Sequence, residues 1–162
     1  MKKSVSMSAY SLTLSVAVIA ILGALFFAMY RAGHRFEYML IAVFILTLCT
    51  LALIYMPLSL TLKNGVLTVA RPLWYKDIPV SQIESVRLCP PTMGARRIIG
   101  SGGFMGYWGW FREGDIGRYF AYYGKASDCF LVTLNDRRKY MLGCKDAPEM
   151  VAAIKKAITP SR

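Results

Sequence analysis

Side chains able to bind another molecule are concentrated in one stretch of the sequence, residues 93–127. This stretch holds nine of the thirteen glycines of the chain, interspersed with arginines and large aromatic residues. The arginine guanidinium presents a rigid fork of N–H donors that fits a phosphate or a carboxylate. Aromatic side chains provide large apolar bodies that suit a membrane interface or a protein surface. The candidate binding residues are Arg96, Arg97, Phe104, Tyr107, Trp108, Trp110, Arg112 and Arg118.

Three interpretations of this stretch remain open from the sequence. In the first, Trp108, Trp110 and the neighbouring arginines contact anionic lipid headgroups. In the second, the stretch docks a protein partner or a second copy of the chain. In the third, its aromatic residues simply fill the core of the domain. Strands are expected at residues 118–123 and around 107–111. The rest is expected to form a long ordered loop, because so many aromatic residues are atypical of disorder.

The sequence carries no recognisable constellation for catalysis. Its single histidine, His34, lies in a short polar loop with only Glu37 nearby, which does not make a metal site. No CxxC pair is present, the acidic residues are scattered singly, and no histidine in the C-terminal part could activate a serine. The run from Gly100 to Gly106 lacks the Lys-Ser/Thr pair of a phosphate-binding loop. We therefore expect no catalytic residue, no metal site and no cofactor, and hence no enzyme.

Two uncharged apolar segments precede this region, at residues 12–30 and 38–56. Each has about 19 residues, the length that a helix needs to cross a ~30 Å hydrocarbon core. A helix satisfies its own backbone hydrogen bonds in lipid, so the segments predict a hairpin of two membrane-spanning helices. One alternative is a cleavable secretory signal, but the first segment is too long and a second span follows at once. The other is a pair of buried core helices, which two uncharged runs of this length disfavour. Tyrosines lie near all four ends, as is typical of membrane interfaces: Tyr10, Tyr30, Tyr38 and Tyr55.

Charge and cysteine content predict the side of the membrane on which the domain lies. Basic residues flank the outer ends of the two spans, whereas the connecting loop carries Arg31 and Arg35 with Glu37 in partial compensation. The positive-inside rule therefore favours a multi-pass protein with both termini in the cytoplasm and the connecting loop outside. The domain contains three cysteines, an odd number without framework spacing, which agrees with reduced thiols in a cytoplasm.

The C-terminal domain is basic. The whole chain has a net charge of +11, and residues 57–162 hold sixteen Lys and Arg against eight Asp and Glu. A basic domain tethered to a membrane is attracted to anionic lipid headgroups. The same charge could serve nucleic acid, which the tether disfavours, or could merely solvate the surface. The expected partners are therefore the membrane, including anionic lipids, and a protein partner or homo-oligomer, but no nucleic acid.

About seven strands and one helix are expected after residue 57. Alternating residues on both sides of Asn64-Gly65 predict a hairpin with a type I′ turn, in which Leu60 faces Val69. Further strands are expected at residues 74–79 and 83–89, and a second hairpin at 129–134 and 139–142.

The last element is an amphipathic helix that ends near residue 158. Asp146 and Glu149 are spaced as in a capping box at its start, with Pro148 in the first turn. Antiparallel strands followed by one terminal helix indicate an α+β domain.

Four stretches carry a resemblance to a known family: LKNGVL at 62–67, IPVSQIESV at 78–86, GSGGFMGYWGWF at 100–111 and DAPEMVAAI at 146–154. Residues 58–158 resemble the bacterial PH-like domains of small membrane proteins, which have the pleckstrin-homology superfold. The resemblance implies a small antiparallel β-barrel of seven strands with a C-terminal capping helix, attached to a membrane. The phosphate pocket of eukaryotic members normally lies between the first two strands, where this sequence has only the turn 63–65, so that pocket is not expected.

The sequence thus predicts a two-span transmembrane hairpin at residues 1–57 and a cytoplasmic PH-like domain at 58–162. The expected function is a membrane-anchored binding or scaffolding module that recruits or stabilises a protein assembly at the inner membrane. The alternative is sensing of anionic lipid headgroups by the basic domain.

Overall fold

The computed structural model describes residues 1–92 and 94–159. It contains two antiparallel helices near the N-terminus, Ala9–Arg31 (α1) and Arg35–Tyr55 (α2). Both are long and apolar enough to cross a membrane, and most of their side chains are exposed. Ser8 caps the first helix, since its hydroxyl accepts a hydrogen bond of 3.1 Å from the amide of Ser11. Each helix begins three residues before the predicted apolar segment.

The first sheet has four antiparallel strands in the order of the chain. Its central hairpin has the predicted register, with Leu60 opposite Val69. Asn64 and Gly65 have positive φ angles of 50° and 73°, as a type I′ turn requires. The strands are Lys2–Ser4 (β1), Ser59–Lys63 (β2), Val66–Ala70 (β3) and Tyr75–Pro79 (β4).

The sequence analysis missed strand β1, which ties the N-terminus to the domain. The ammonium group of Lys3 on this strand donates hydrogen bonds to Asp146 and Glu149 at the start of the last helix, Ala147–Ile158 (α3). The predicted capping box is wrong, because Asp146 has a left-handed backbone with φ of 54° and its side chain makes no cap bond. The two carboxylates instead bind a lysine from the other end of the chain.

The second sheet has six strands in the order β5-β9-β10-β8-β7-β6, antiparallel except for the pair β8 and β10. The expectation of a long loop is wrong, because residues 96–123 form a three-stranded meander. The strands are Ile83–Leu88 (β5), Arg96–Gly103 (β6), Gly106–Glu113 (β7), Gly117–Tyr123 (β8), Cys129–Leu134 (β9) and Lys139–Gly143 (β10).

The architecture is α+β, as predicted, but the expected barrel is not closed. Both sheets are open: in the described residues β1 and β4 form the edges of one, and β5 and β6 the edges of the other. Strands β5 and β6 follow each other in the chain yet lie at opposite edges of this sheet. After β5, the amide of Thr92 donates a hydrogen bond of 2.9 Å to the carboxylate of Glu113 on β7.

Each face of the six-stranded sheet carries an apolar cluster that covers part of it. One face packs against the four-stranded sheet, α3 and the end of α2, through side chains that include Phe130, Leu142 and Trp108. The other face holds a second apolar cluster, which includes Tyr119 and Met141. The hairpin of helices meets the first of these faces, on strands β6–β8.

Two glycines allow β6 and β7 to approach closely. Gly100 and Gly109 lie opposite each other with φ of +125° and +117°. A Cβ atom on Gly109 would lie 2.3 Å from the carbonyl oxygen of Ile99, so no side chain fits there.

Gly109→Ala is therefore expected to lower the free energy of unfolding by at least about 2 kcal/mol, through backbone strain and steric clash. The matched control is Gly114→Ala, because a Cβ atom there meets nothing within 4 Å. Thermal unfolding of the detergent-solubilised chain measures both. Equal unfolding temperatures for the two variants would contradict the close approach of β6 and β7.

Candidate functional site

Three exposed arginines form a row across strands β6, β7 and β8. Arg96 lies directly opposite Arg112, and Arg112 lies directly opposite Arg118. Directly paired residues in antiparallel strands point to the same face of the sheet, so the three side chains are neighbours. In the part of the chain that the structure describes, none of the three forms an ion pair with an acidic residue. We call these residues the arginine row.

The arginine row places like charges opposite each other on neighbouring strands. Strands in a sheet are about 4.8 Å apart, so the row covers roughly 10 Å. Like charges that are directly opposite destabilise a sheet. Arg118 is additionally held in place, since its guanidinium carbon lies 4.3 Å from the centre of the Trp110 ring. The arrangement has the chemistry of a site for anionic oxygen groups, which would relieve the repulsion.

The next row on the same face is apolar. Ile99 lies opposite Trp110, and Trp110 lies opposite Phe120. The Trp110 and Phe120 rings meet edge to face with centroids 5.2 Å apart, while Ile99 is 67% exposed. Two residues along a strand correspond to about 7 Å, so this apolar row adjoins the arginine row directly.

The third row along the same face is covered by the end of the helical hairpin. Trp108 is only 8% exposed and stacks on Tyr55 of α2, with ring centroids 5.3 Å apart and planes at 12°. Its neighbour Tyr122 is buried, and burial raises the pKa of its hydroxyl to about 12 although the nearby Arg71 opposes this shift. The face therefore changes from covered aromatic core to exposed cations over a few residues of each strand.

A cleft of about 670 Å³ lies between this face and the two helices. Both helices contribute apolar side chains to its walls, and the sheet contributes the apolar row together with Arg97 and bare glycine backbone. Its main lining residues are Leu14, Val18, Leu48, Leu51, Tyr55, Arg97, Ile99, Phe104, Trp108, Trp110 and Phe120.

The turn between β6 and β7 attaches the sheet to α1. The amide of Met105 donates a hydrogen bond of 2.8 Å to the hydroxyl of Ser15. Gly103 lies so close to the helix that a Cβ atom would be 2.9 Å from Leu14 and 3.0 Å from Tyr10. The cleft therefore has fixed walls on both sides.

The structure brings some of the eight predicted binding residues together and separates others. Arg96, Arg112 and Arg118 form the arginine row, with Trp110 beside it, whereas Trp108 belongs to the core. The remaining three are Phe104 and Arg97, which line the cleft, and Tyr107, which stacks on Tyr123 on the other face.

Sequence reasoning missed two parts of the surface. It gave the helices no part in a site, although α1 and α2 contribute five of the fifteen residues that line the cleft. It also missed an apolar patch at the start of β4, where Leu73, Trp74 and Tyr75 are 59%, 53% and 71% exposed. Hydropathy along the sequence could have indicated this patch, because the three large apolar residues are consecutive.

Two buried thiols provide a test of the domain core. Burial raises the pKa of Cys144 to about 11 and raises that of Cys129 further. Because the thiolate is the reactive form, both should resist maleimide at pH 7 and react only when the protein unfolds. Mass spectrometry of peptides labelled with and without denaturant measures this protection. Rapid labelling of either thiol in the folded protein would contradict the described packing.

No group of histidine, cysteine, aspartate and glutamate side chains that could hold a metal ion occurs within residues 1–92 and 94–159. The described residues thus form an open two-sheet domain with a closing helix, joined to a pair of long apolar helices. The model of the bacterial PH domain family matches residues 58–158, and the chain belongs to this family. PH-like domains are generally non-catalytic binding modules. No curated protein and no solved structure shows significant similarity to the chain.

Proposed function

We propose that this protein is a membrane-anchored binding module whose arginine row binds the phosphate groups of anionic lipids on the cytoplasmic leaflet. In this proposal α1 and α2 cross the inner membrane and both termini are cytoplasmic. The observation that carries the proposal is the arginine row itself: three exposed, mutually repelling arginines without an acidic partner in the described residues.

The position of the row supports lipid as the source of the phosphate. The sheet face that carries Arg112 forms one wall of the cleft. Val18 and Leu48, which belong to the apolar helices, lie in the opposite wall. When the two helices span the membrane, a sheet face that shares a cleft with them is in contact with lipid and not with bulk cytoplasm. Arginine pairs with phosphate through two parallel N–H···O hydrogen bonds, which are stronger than neutral ones.

A thermal-shift titration of the full chain in a neutral detergent tests this function. Short-chain phosphatidylglycerol is expected to raise the unfolding temperature, because a ligand that binds only the folded state stabilises it. The matched phosphatidylcholine should have little effect, and moderate salt should reduce the shift by screening exposed charges. Equal shifts with both lipids would contradict headgroup recognition.

A protein partner is the second candidate function, and the apolar patch at the start of β4 favours it. Leu73, Trp74 and Tyr75 are exposed beside an edge strand, which offers unpaired backbone groups to another chain. Such a surface suits recruitment of a protein assembly or contact with a second copy.

Purification of the chain and of a Leu73→Ser/Trp74→Ser variant in mild detergent tests this candidate. A partner protein or a dimer should be retained by the parent chain and lost from the variant. A parent chain that is monomeric and without partners in its native membrane extract would count against it.

A further inference from the structure

From the cleft and its lining we infer that this protein holds one acyl chain of an anionic glycerophospholipid between its helices and its six-stranded sheet, with the lipid phosphate on the arginine row. This inference rests on the proposed function and specifies its ligand. A diffuse basic surface needs no cleft, whereas a site for a single lipid needs both an apolar slot and a cationic mouth. At about 670 Å³, the cleft falls within the range of small-molecule binding sites.

The depth of the cleft in the membrane indicates that its occupant is a lipid chain. Val18 lies nine residues after the start of α1, which corresponds to about 14 Å along the helix axis. Leu48 lies seven residues before the end of α2, about 10 Å from it. One leaflet contributes roughly 15 Å of hydrocarbon, so both walls lie at the depth of acyl chains when the helices span the membrane. A water-soluble ligand does not reach this depth.

The order of side chains along the sheet matches the order of groups in a phospholipid. Trp110 and Ile99 lie against the cleft, and the arginine row is the adjacent row of the sheet, two residues away along β7 or about 7 Å. A chain that lies on the apolar row therefore brings its phosphate to Arg112 and Arg118. Arg97 also lines the cleft, but its pairing with Phe111 places it on the other face of β6, outside the arginine row.

The floor of the cleft is shaped for a chain. Gly100 and Gly109 are both lining residues, and neither accepts a Cβ atom without meeting backbone at less than 2.4 Å. At these two positions the sheet therefore presents only backbone atoms to the cleft. Phe104 also lines the cleft, and its carbonyl oxygen accepts a hydrogen bond of 2.6 Å from the hydroxyl of Ser101.

Tryptophan quenching by phosphatidylglycerol with brominated acyl chains tests the inference on the full chain in detergent. The cleft-filled variant is Val18→Phe/Leu48→Phe, whose added rings occupy the slot. Its matched control is Val16→Phe/Leu46→Phe, which makes the same changes on the same helices at exposed positions that do not line the cleft.

The parent chain and the control are expected to show quenching that saturates at one lipid per chain. The cleft-filled variant should bind at least about tenfold more weakly, because the rings clash with the acyl chain. Quenching that rises in proportion to lipid without saturation, or that is unchanged in the cleft-filled variant, would overturn the inference.

The failure of the inference is distinguishable from that of the proposed function. If the cleft-filled variant binds like the parent while Arg112→Gln loses the preference for phosphatidylglycerol, the arginine row acts alone and only the inference is wrong. If Arg112→Gln keeps the full preference for phosphatidylglycerol over phosphatidylcholine, the proposed function is wrong, and the inference that rests on it is wrong as well.

Discussion

Arg112→Glu is expected to weaken binding of anionic lipid about 30-fold while making the lipid-free protein more stable. One basic residue near an anionic surface contributes about 1 kcal/mol, and the substitution changes the charge by two units, so roughly 2 kcal/mol of binding free energy is lost. In the absence of lipid, a glutamate between Arg96 and Arg118 replaces two repulsive cross-strand pairs by two attractive ones, each worth about 0.2–1 kcal/mol. Binding and stability should therefore change in opposite directions.

This opposition separates a binding residue from a structural one. Lipid affinity is measured by quenching with brominated phosphatidylglycerol, and stability by thermal unfolding in neutral detergent without lipid. The control is Arg87→Glu, an exposed arginine of β5 at the opposite edge of the sheet. Lipid affinity of Arg112→Glu equal to that of the parent chain, or a loss of stability in this variant, would contradict the role of Arg112 in lipid binding.

Trp108→Ala is expected to have the largest effect on stability of any single tryptophan substitution in this chain. Trp108 is buried, and its ring joins the domain core to Tyr55 of α2. Replacement of a buried tryptophan by alanine typically costs about 3–5 kcal/mol, because it removes apolar burial and leaves a cavity. The variant should unfold well below the parent, and the hairpin should lose its fixed position against the sheet.

Trp110→Ala is the matched comparison. Its ring is half-buried at the cleft and lies under the guanidinium of Arg118. Its removal should affect stability far less and should weaken lipid binding, since Arg118 loses the ring that positions it. The unfolding temperatures of the two variants compare their stability, and quenching by brominated lipid compares their lipid binding. A larger loss of stability for Trp110→Ala than for Trp108→Ala would contradict the assignment of core and site.

The helices, the first hairpin and the last helix could be predicted because their signals are local. Apolar length alone indicates α1 and α2, and Asn64-Gly65 indicates the β2–β3 turn and with it the register. Other elements depend on contacts distant in sequence. Strand β1 has three polar residues that become a strand only by pairing with β2. Asp146 looks like a helix cap, but its carboxylate binds Lys3.

The site was harder to predict than the fold because it depends on register across strands. Half of the residues of β6 are glycine or serine, which strands usually disfavour, so this segment resembled a loop. The pairing of β6 with β7 also contains an irregularity between Arg97 and Ile99. This shift places Arg96 and Ile99 on the same face and Arg97 on the other. The sequence therefore supplied the residues of the arginine row but not their alignment.

Native mass spectrometry of the full chain with an equimolar mixture of phosphatidylglycerol and phosphatidylcholine measures which of the two lipids the protein retains. The parent chain should retain predominantly one phosphatidylglycerol molecule, and Arg112→Glu should retain neither lipid in preference to the other. Retention of the two lipids in equal amounts by the parent chain would contradict recognition of an anionic lipid by the arginine row.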